Sequence, residues 1–225
     1  MSKTPDSAER ELPNLTGQVA VVTGGGRGIG QVISQMLGEA GAAVGVRGQA
    51  KGPLDETVGA IKAAGGIAAP WSVDVTKGPD IARAMTEVEA ALGPISLLVN
   101  NAGTNNGGGP IWLVDPDEWW RAMEINLRGP YLCSRAVLPG MLERGTGRII
   151  NMGSAVGLRA EPMASSYSTS KAALLRLTDC TAAGVEEAGV QVFAVSPGWV
   201  WTDMTRDTEK QIKAMDPGFE GIDDQ

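Results

Sequence analysis

The chain has 225 residues, enough for one α/β domain with a substantial core, and 43% of them are hydrophobic. It contains no histidine, which excludes His-dependent triads and His-ligated metals, and its two cysteines, Cys133 and Cys180, suit neither a disulfide framework nor a metal site. A formal net charge of −7 argues against nucleic acid or an anionic membrane surface as partner.

Residues 1–14 are polar, lack the apolar core of a secretory signal, and are expected to form a mobile tail. No apolar stretch approaches the ~20 residues needed to span a bilayer, so a cytoplasmic protein is expected. Val19-Ala20-Val21-Val22-Thr23 is a short β-branched run that reads as a buried parallel strand. It leads into Gly24-Gly25-Gly26-Arg27-Gly28-Ile29-Gly30 and then into a helical pattern through Val32, Ile33, Met36 and Leu37. Strand, glycine turn and helix form the context of a dinucleotide site, where backbone approaches a pyrophosphate at the positive end of the helix.

Further strands are predicted at Ala43–Arg47, Ile67–Val73, Ile95–Asn100, Arg148–Asn151 and Val190–Ser196. Helical patterns intervene at 53–64, 79–92, 116–143 and 165–188. Repeated βα units imply a single doubly wound parallel sheet, Rossmann-like, with helices on both faces. The site is then expected beyond the C-terminal strand ends, at the switch in strand order. Both cysteines fall in predicted helices as reduced packing residues.

Tyr167 and Lys171 stand at i and i+4 of a predicted helix and share one face, and Ser154 lies thirteen residues before the tyrosine. A lysine ammonium held near a phenol favours the phenolate, which brings the tyrosine's acid–base chemistry closer to neutrality. A serine hydroxyl beside it supplies a hydrogen bond to the oxygen being protonated. This is equipment for reducing a carbonyl or oxidising an alcohol, although a tyrosine and a lysine on a solvated helix give the same spacing.

In sequence order, the motifs resemble those of the short-chain dehydrogenase/reductase family. Thr23 to Gly30 resembles its T-G-x-x-x-G-x-G turn, and Asn100-Asn101-Ala102-Gly103 its N-N-A-G motif. Asn126 resembles its helix asparagine, while Ser154, Tyr167 and Lys171 fall at its spacing. Pro197-Gly198 with Thr202 resembles its P-G-x-x-x-T segment, and the match runs from about Gln18 to Thr205.

The resemblance implies an NAD(P)-dependent oxidoreductase moving a hydride between nicotinamide and a carbonyl or secondary alcohol. Tyr167 is then the general acid/base, Lys171 lowers its pKa, Ser154 orients the carbonyl, and Asn126 holds a water linking Lys171 to solvent. Cofactor contacts are implied at Thr23, Gly24, Gly26, Arg27, Gly28, Ile29 and Gly30. More follow at Asn101, Ala102, Gly103, Tyr167, Lys171, Pro197, Gly198, Val200 and Thr202. Asp74 and Val75 match the adenine contact, with a purely structural role for Asp74 left open. Asn101 has an alternative role in bracing strand four.

Gly48 stands where a member preferring NAD places a carboxylate, and Arg47 and Arg27 are candidates to meet a 2′-phosphate. NADP(H) is therefore favoured, with NAD(H) the alternative. Met152, Val156, Leu158, Trp199 and Val200 are candidate apolar walls, and Thr104 to Pro110 forms a polar loop beside them. A neutral or weakly polar carbonyl or alcohol is the expected substrate, with a 3-oxoacyl thioester or a sugar alcohol remaining open.

Residues 15–202 are thus read as the dinucleotide-binding catalytic domain and 203–225 as a partial substrate-loop segment. Asp203–Met215 begins a helix that Asp216-Pro217-Gly218 breaks. The expected sheet lacks the family's final strand, which leaves strand six with an open edge. A catalytically idle cofactor-binding protein, acting as redox sensor or scaffold, is the alternative function. Leu132, Ala136, Val137, Met141, Leu174, Leu177 and Ala182 are candidates to pair two helices across a two-fold axis, giving a homodimer or homotetramer. No metal is expected.

Overall fold

The computed structural model describes residues 12–215. Most of the expected tail and the Asp216-Pro217-Gly218 break lie outside the described residues. Leu15 is already tied to the body, its N–H donating to the Ala40 carbonyl at 2.7 Å.

Strand β1 (Val19–Thr23) is buried at every position, as a β-branched run in the middle of a parallel sheet must be. Around it lie β2 (Ala43–Gly48), β3 (Ile67–Ser72), β4 (Ile95–Asn100), β5 (Gly147–Met152) and β6 (Val190–Val195). All pairings are parallel and the order is β3-β2-β1-β4-β5-β6. Order reverses between β1 and β4, so a crevice opens at their C-terminal ends.

Helices α1 (Gly28–Glu39) and α2 (Lys51–Ala63) cover one face of the sheet. Their apolar stripes enclose Ala20, Val22, Val44 and Val46 with Leu54, Val58 and Ile61. Across the sheet lie α3 (Gly78–Leu92), α4 (Pro116–Met123), α5 (Gly129–Arg144) and α6 (Ser165–Val185). Their side of the core includes Val21, Leu98 and Ile149 with Ile81, Met85 and Val137. Leu98 and Ile149 are fully buried, and truncating either to alanine is expected to cost ~2–5 kcal/mol. The start of α4 is fixed by Asp115, whose carboxylate accepts from the N–H groups of Asp117 and Glu118, with Pro116 in the first turn.

Two departures from the expected elements matter for the site. The single helix expected over 116–143 is interrupted by a π-helical turn, Glu124–Arg128, closed by the Gly129 N–H donating to the Glu124 carbonyl. In β6 only the α3–α6 side is covered: Val190 and Val192 are buried, while Phe193 and Val195 are 47% and 43% exposed. The last helix, α7 (Asp203–Met215), lies across the top of the sheet rather than beside it. Among the described residues no helix is long and apolar enough to cross a membrane, and no cluster could hold a metal ion.

Candidate active site

Thr23 ends β1 and organises the crevice. Its hydroxyl accepts from the N–H groups of both Asn101 and Ala102 at 3.0 Å, joining the ends of β1 and β4. Asn101 answers through its side-chain amide, which donates to the carbonyls of Thr23 and Gly24. Asn101 thus holds the glycine turn in place, and bracing is its structural task. Gly24 adopts φ +65°, which an L side chain rarely tolerates. Gly30 is constrained by space, because a Cβ there would lie 2.3 Å from the Gly24 carbonyl oxygen. Helix α1 is therefore drawn directly onto the strand end, with exposed Arg27 at its N-cap and Gly28 and Ile29 in its first turn. Backbone N–H groups at a helix start, beside a guanidinium, make a cradle suited to phosphate.

Arg47 does not belong to that cradle. Its side chain is 1% exposed and enters the opposite helix layer, where Nη1 donates to the Met85 sulfur at 3.4 Å beside the Cys133 thiol. The physical reason is the alternation of side chains along a strand: Arg47 and Gly48 point to opposite faces, and it is Gly48 that faces Leu54 on the α1–α2 side. Only the Arg47 carbonyl serves the turn, accepting from Gly25 at 2.9 Å. Burial lowers the Arg47 pKa and pushes Cys133 up to about 11.

Ser154, Tyr167 and Lys171 come together at the C-terminal end of β5. The Ser154 hydroxyl stands beside the Tyr167 phenol. Burial raises the Tyr167 pKa and the Ser154 hydroxyl pulls it partly back. Lys171 is 4% exposed; its ammonium donates to the Met152 carbonyl at 2.6 Å and lies 5.4 Å from the centre of the Tyr167 ring. Burial lowers the Lys171 pKa to about 8. Within the polypeptide the phenol is therefore shifted up, with burial the larger of the two causes.

Asn126 occupies the π-helical turn and is completely buried. Its Oδ1 accepts from the Thr104 N–H at 2.8 Å, and its Nδ2 donates to the Thr104 carbonyl at 2.8 Å and the Ser170 hydroxyl at 3.0 Å. Ser170 in turn donates to the Tyr167 carbonyl. A Cβ on Gly103 would lie 3.3 Å from Asn126 Oδ1 and 3.7 Å from Lys171 Nζ, so these groups flank one small space.

The polar loop after β4 is held firmly. Ser166 donates to the carbonyls of Asn106 and Gly107, Trp119 Nε1 donates to Ser165, and Asn105 donates to Thr208 on α7. Thr202, near the start of α7, reaches the glycine turn, with its Cγ2 3.4 Å from the position of a Gly28 Cβ. Helix α7 thus runs from the phosphate cradle to the loop at residues 104–110. Val200 and Trp199 stand exposed beside Pro197 and Gly198, and the Trp199 and Trp201 rings meet edge-on at 6.0 Å. Met152 is not an open wall; it is buried in the core on the α1–α2 side.

Asp74 and Val75 follow β3. Burial acts to raise the Asp74 pKa, but hydrogen bonds from Thr76 and the Arg121 guanidinium outweigh it and hold the carboxyl below its ordinary value. Both carboxylate oxygens are already engaged within the protein, with Thr76 at 2.8 Å and Arg121 at 3.3 Å.

The short chain dehydrogenase profile matches residues 18–213 of this sequence. A short chain dehydrogenase of Pseudocercospora fijiensis is 39% identical over 200 residues, covering 87% of this chain and 64% of its own length. A metagenomic short-chain oxidoreductase solved in complex with NADP is 39% identical at a TM-score of 0.79, covering 83% of this chain and 84% of that one. An NAD+-bound xylitol dehydrogenase is 28% identical at a TM-score of 0.85, covering 94% and 80%. The chain belongs to the short-chain dehydrogenase/reductase family.

In this family member the sequence motifs converge on one crevice, apart from the Arg47 side chain. Sequence reasoning missed Ser170, Arg121 and Arg128. It also missed the buried string in which Asn100 donates to Asn151 and Ser134, and Asn151 donates to Thr178. Ser170 stood in plain view three residues after Tyr167, the spacing that brings helical side chains together. The two arginines gave no such signal, because their partner turn is distant in sequence.

Proposed function

We propose that this chain is an oxidoreductase that uses NADP(H), with NAD(H) as the weaker cofactor, on a neutral or weakly polar carbonyl or secondary alcohol. The neighbouring hydroxyls of Ser154 and Tyr167, set beside the buried Lys171, carry this reading. The glycine turn would hold the pyrophosphate and Arg27 a 2′-phosphate, with Asp74 and Val75 at the adenine. Ala102, Gly103, Pro197, Gly198, Val200 and Thr202 would line the nicotinamide half. The fit rests on the cradle itself: Gly24 and Gly30 let the glycine turn pack directly against Asn101 and Ala102, so that α1 begins at the strand end with Arg27 and Gly28 exposed. NADP is favoured because Gly48 places no carboxylate at the end of β2, and because the relative solved with NADP is 39% identical against 28% for the one bound to NAD+.

When bound, the reduced nicotinamide supplies a hydride to the carbonyl carbon. Tyr167 donates its phenolic proton to the carbonyl oxygen, leaving a phenolate. Ser154 donates a hydrogen bond to the same oxygen and opposes the charge growing there. Lys171, protonated below about 8, stabilises the phenolate through the ring face and returns a proton by way of the Asn126 region. Alcohol oxidation reverses each proton step. Cofactor oxidation measured against a panel containing a simple ketone, a 3-oxoacyl thioester and a ketose tests this reading. Absence of turnover across the panel, with the cofactor bound, would return the idle-binder alternative.

The cytoplasm is the expected compartment and a homodimer the expected assembly. Val137, Met141 and Leu174, first assigned to an interface, are buried within the single chain. The outward surface of α5 and α6 instead presents Tyr131, Leu138, Pro139, Leu142 and Leu177 around an apolar groove. Self-pairing of this surface about a two-fold axis would cover it.

A further inference from the structure

Arg121 ends its side chain on the Asp74–Thr76 turn, and so does Arg128, although the two leave the helix on either side of Asn126. Arg121 donates to Asp74 Oδ2 at 3.3 Å and to the Thr76 hydroxyl at 3.2 Å, while Arg128 donates to the Thr76 carbonyl at 2.8 Å. Thr76 is 3% exposed and its N–H and hydroxyl both donate to Asp74 Oδ1. Gly129, next after Arg128, packs so closely on Val75 that a Cβ would meet Val75 Cγ2 at 3.0 Å.

The segment between these anchors is the π-helical turn Glu124–Arg128. A π turn holds one residue more than an α turn and is rarely stable by itself, so something outside the helix must fix it. If it relaxed to α geometry, side chains beyond it would rotate by about 100° relative to those before it. Asn126 would then lose its bonds to Thr104 and Ser170, the contacts that connect it to the loop after β4 and to the Tyr167 helix.

We propose that Arg121 and Arg128 are positioning residues that clamp the π turn to the Asp74–Thr76 turn. The clamp joins occupancy at the adenine end of the cleft to the placement of Asn126 beside Lys171. The coupling is reciprocal, because any change in the turn on ligand binding is felt by Asn126, and loss of the π geometry weakens the turn for the ligand. Neither arginine needs to touch substrate or cofactor. The assignment rests on the proposed function only in naming the adenine end as a ligand site.

The test uses the full chain and reads Asn126 directly. The Asn126 side-chain amide is a buried double donor, and its NMR resonances and hydrogen-exchange rate report the π turn without any turnover. Arg128→Met is expected to speed that exchange at least about tenfold, as an opening of more than ~1.4 kcal/mol requires. Arg128→Lys should restore most of the protection. Adenosine 2′,5′-bisphosphate, which lacks nicotinamide, should shift the Asn126 resonance in the wild type and not in Arg128→Met. With a working carbonyl substrate, Arg128→Met should lower kcat, alter its pH profile and raise the cofactor Kd together.

Unchanged Asn126 exchange in a folded Arg128→Met protein overturns the proposal, as does adenosine bisphosphate binding that leaves the Asn126 resonance unmoved. A variant that loses only thermal stability also overturns it, since that is the signature of a merely structural contact. If Arg128→Met does not fold, Arg121→Met is read by the same exchange measurement with the same criteria. If adenosine bisphosphate does not bind the wild type, the cofactor reading fails instead, and the exchange measurement alone decides the clamp.

Discussion

The Lys171 ammonium lies 5.4 Å from the centre of the Tyr167 ring but directs its hydrogen bond to the Met152 carbonyl, 2.6 Å away. The lysine therefore reaches the phenol through the face of the ring, by a cation–π and through-space field, and not by a bond to its oxygen. Ser154 is the side chain beside the hydroxyl, so support for the reacting oxygen and support for the ring charge come from two residues.

That division predicts unequal losses. Tyr167→Phe removes the acid hydroxyl and should lower kcat by ~10²–10⁴, with the cofactor Kd nearly unchanged. Lys171→Met should reduce both turnover and cofactor binding. Steady-state kinetics with a parallel fluorescence titration separate the two, and a Tyr167→Phe protein with wild-type turnover would remove the tyrosine from the mechanism.

The pH dependence follows from Lys171. Its pKa is lowered from 10.5 to about 8 by burial, so between those values the unfolded chain binds the proton and the folded chain does not. Stability contributed by this site therefore rises with pH across that window. Activity should move the other way: kcat/KM for the cofactor falls as pH rises through about 8 and the ammonium is lost. Both trends should vanish in Lys171→Met, measured by denaturant titration and by the pH–rate profile. A wild-type profile with no descending limb near that pH would show that Lys171 is not titrating there.

Arg47 gives a prediction opposite in sense to its sequence reading. Its Nε and Nη2 are buried with no hydrogen-bond partner among the described residues, so the charge is held at a cost. Arg47→Met should stabilise the chain by ~1–4 kcal/mol. At this chain length that is a rise of about 2–4 °C in Tm per kcal/mol. The ratio of NADPH to NADH affinity should stay as in the wild type, while Arg27→Ala should reduce it. Collapse of the ratio in Arg47→Met would mean that the side chain leaves the core to meet the cofactor.

The surface of α5 and α6 yields the assembly prediction. Light scattering with cofactor present should return a dimer, and Leu138→Glu, placing a charge in the apolar groove, should shift the mass toward the monomer while leaving α6 in place. A monomer at micromolar concentration in the wild type would rule out self-pairing on this surface.

The fold was legible because its signals are local. Val19–Thr23 announces a buried strand by composition, and the glycines after it announce the turn, so the β1–α1 unit followed, whereas the strand order is set by pairings between distant segments. Tyr167 and Lys171 were legible because a helix converts a spacing of four residues into a shared face. Arg47 was misread because its position near the glycine turn is a matter of chain distance, whereas the face it takes is set by strand alternation. The same residue run, Arg47-Gly48, would have shown this had the period of two been applied to it. The π turn was invisible because an asparagine inside a helix signals irregularity without saying which kind. The long-range polar contacts of Arg121 and Arg128 depend on how β3 delivers Asp74, and no local pattern encodes that.

Gly24 and Gly30 look like one signature in the sequence, yet they answer to different demands. Gly24 is selected by torsion, and Gly30 by collision with the strand end and Asn101. An alanine at Gly30 would push α1 off the sheet whether or not any nucleotide is in solution, so the first casualty would be the protein's yield on expression, not its affinity. A motif that reads as a ligand fingerprint is thus, at one of its letters, a record of how tightly two pieces of backbone are seamed together.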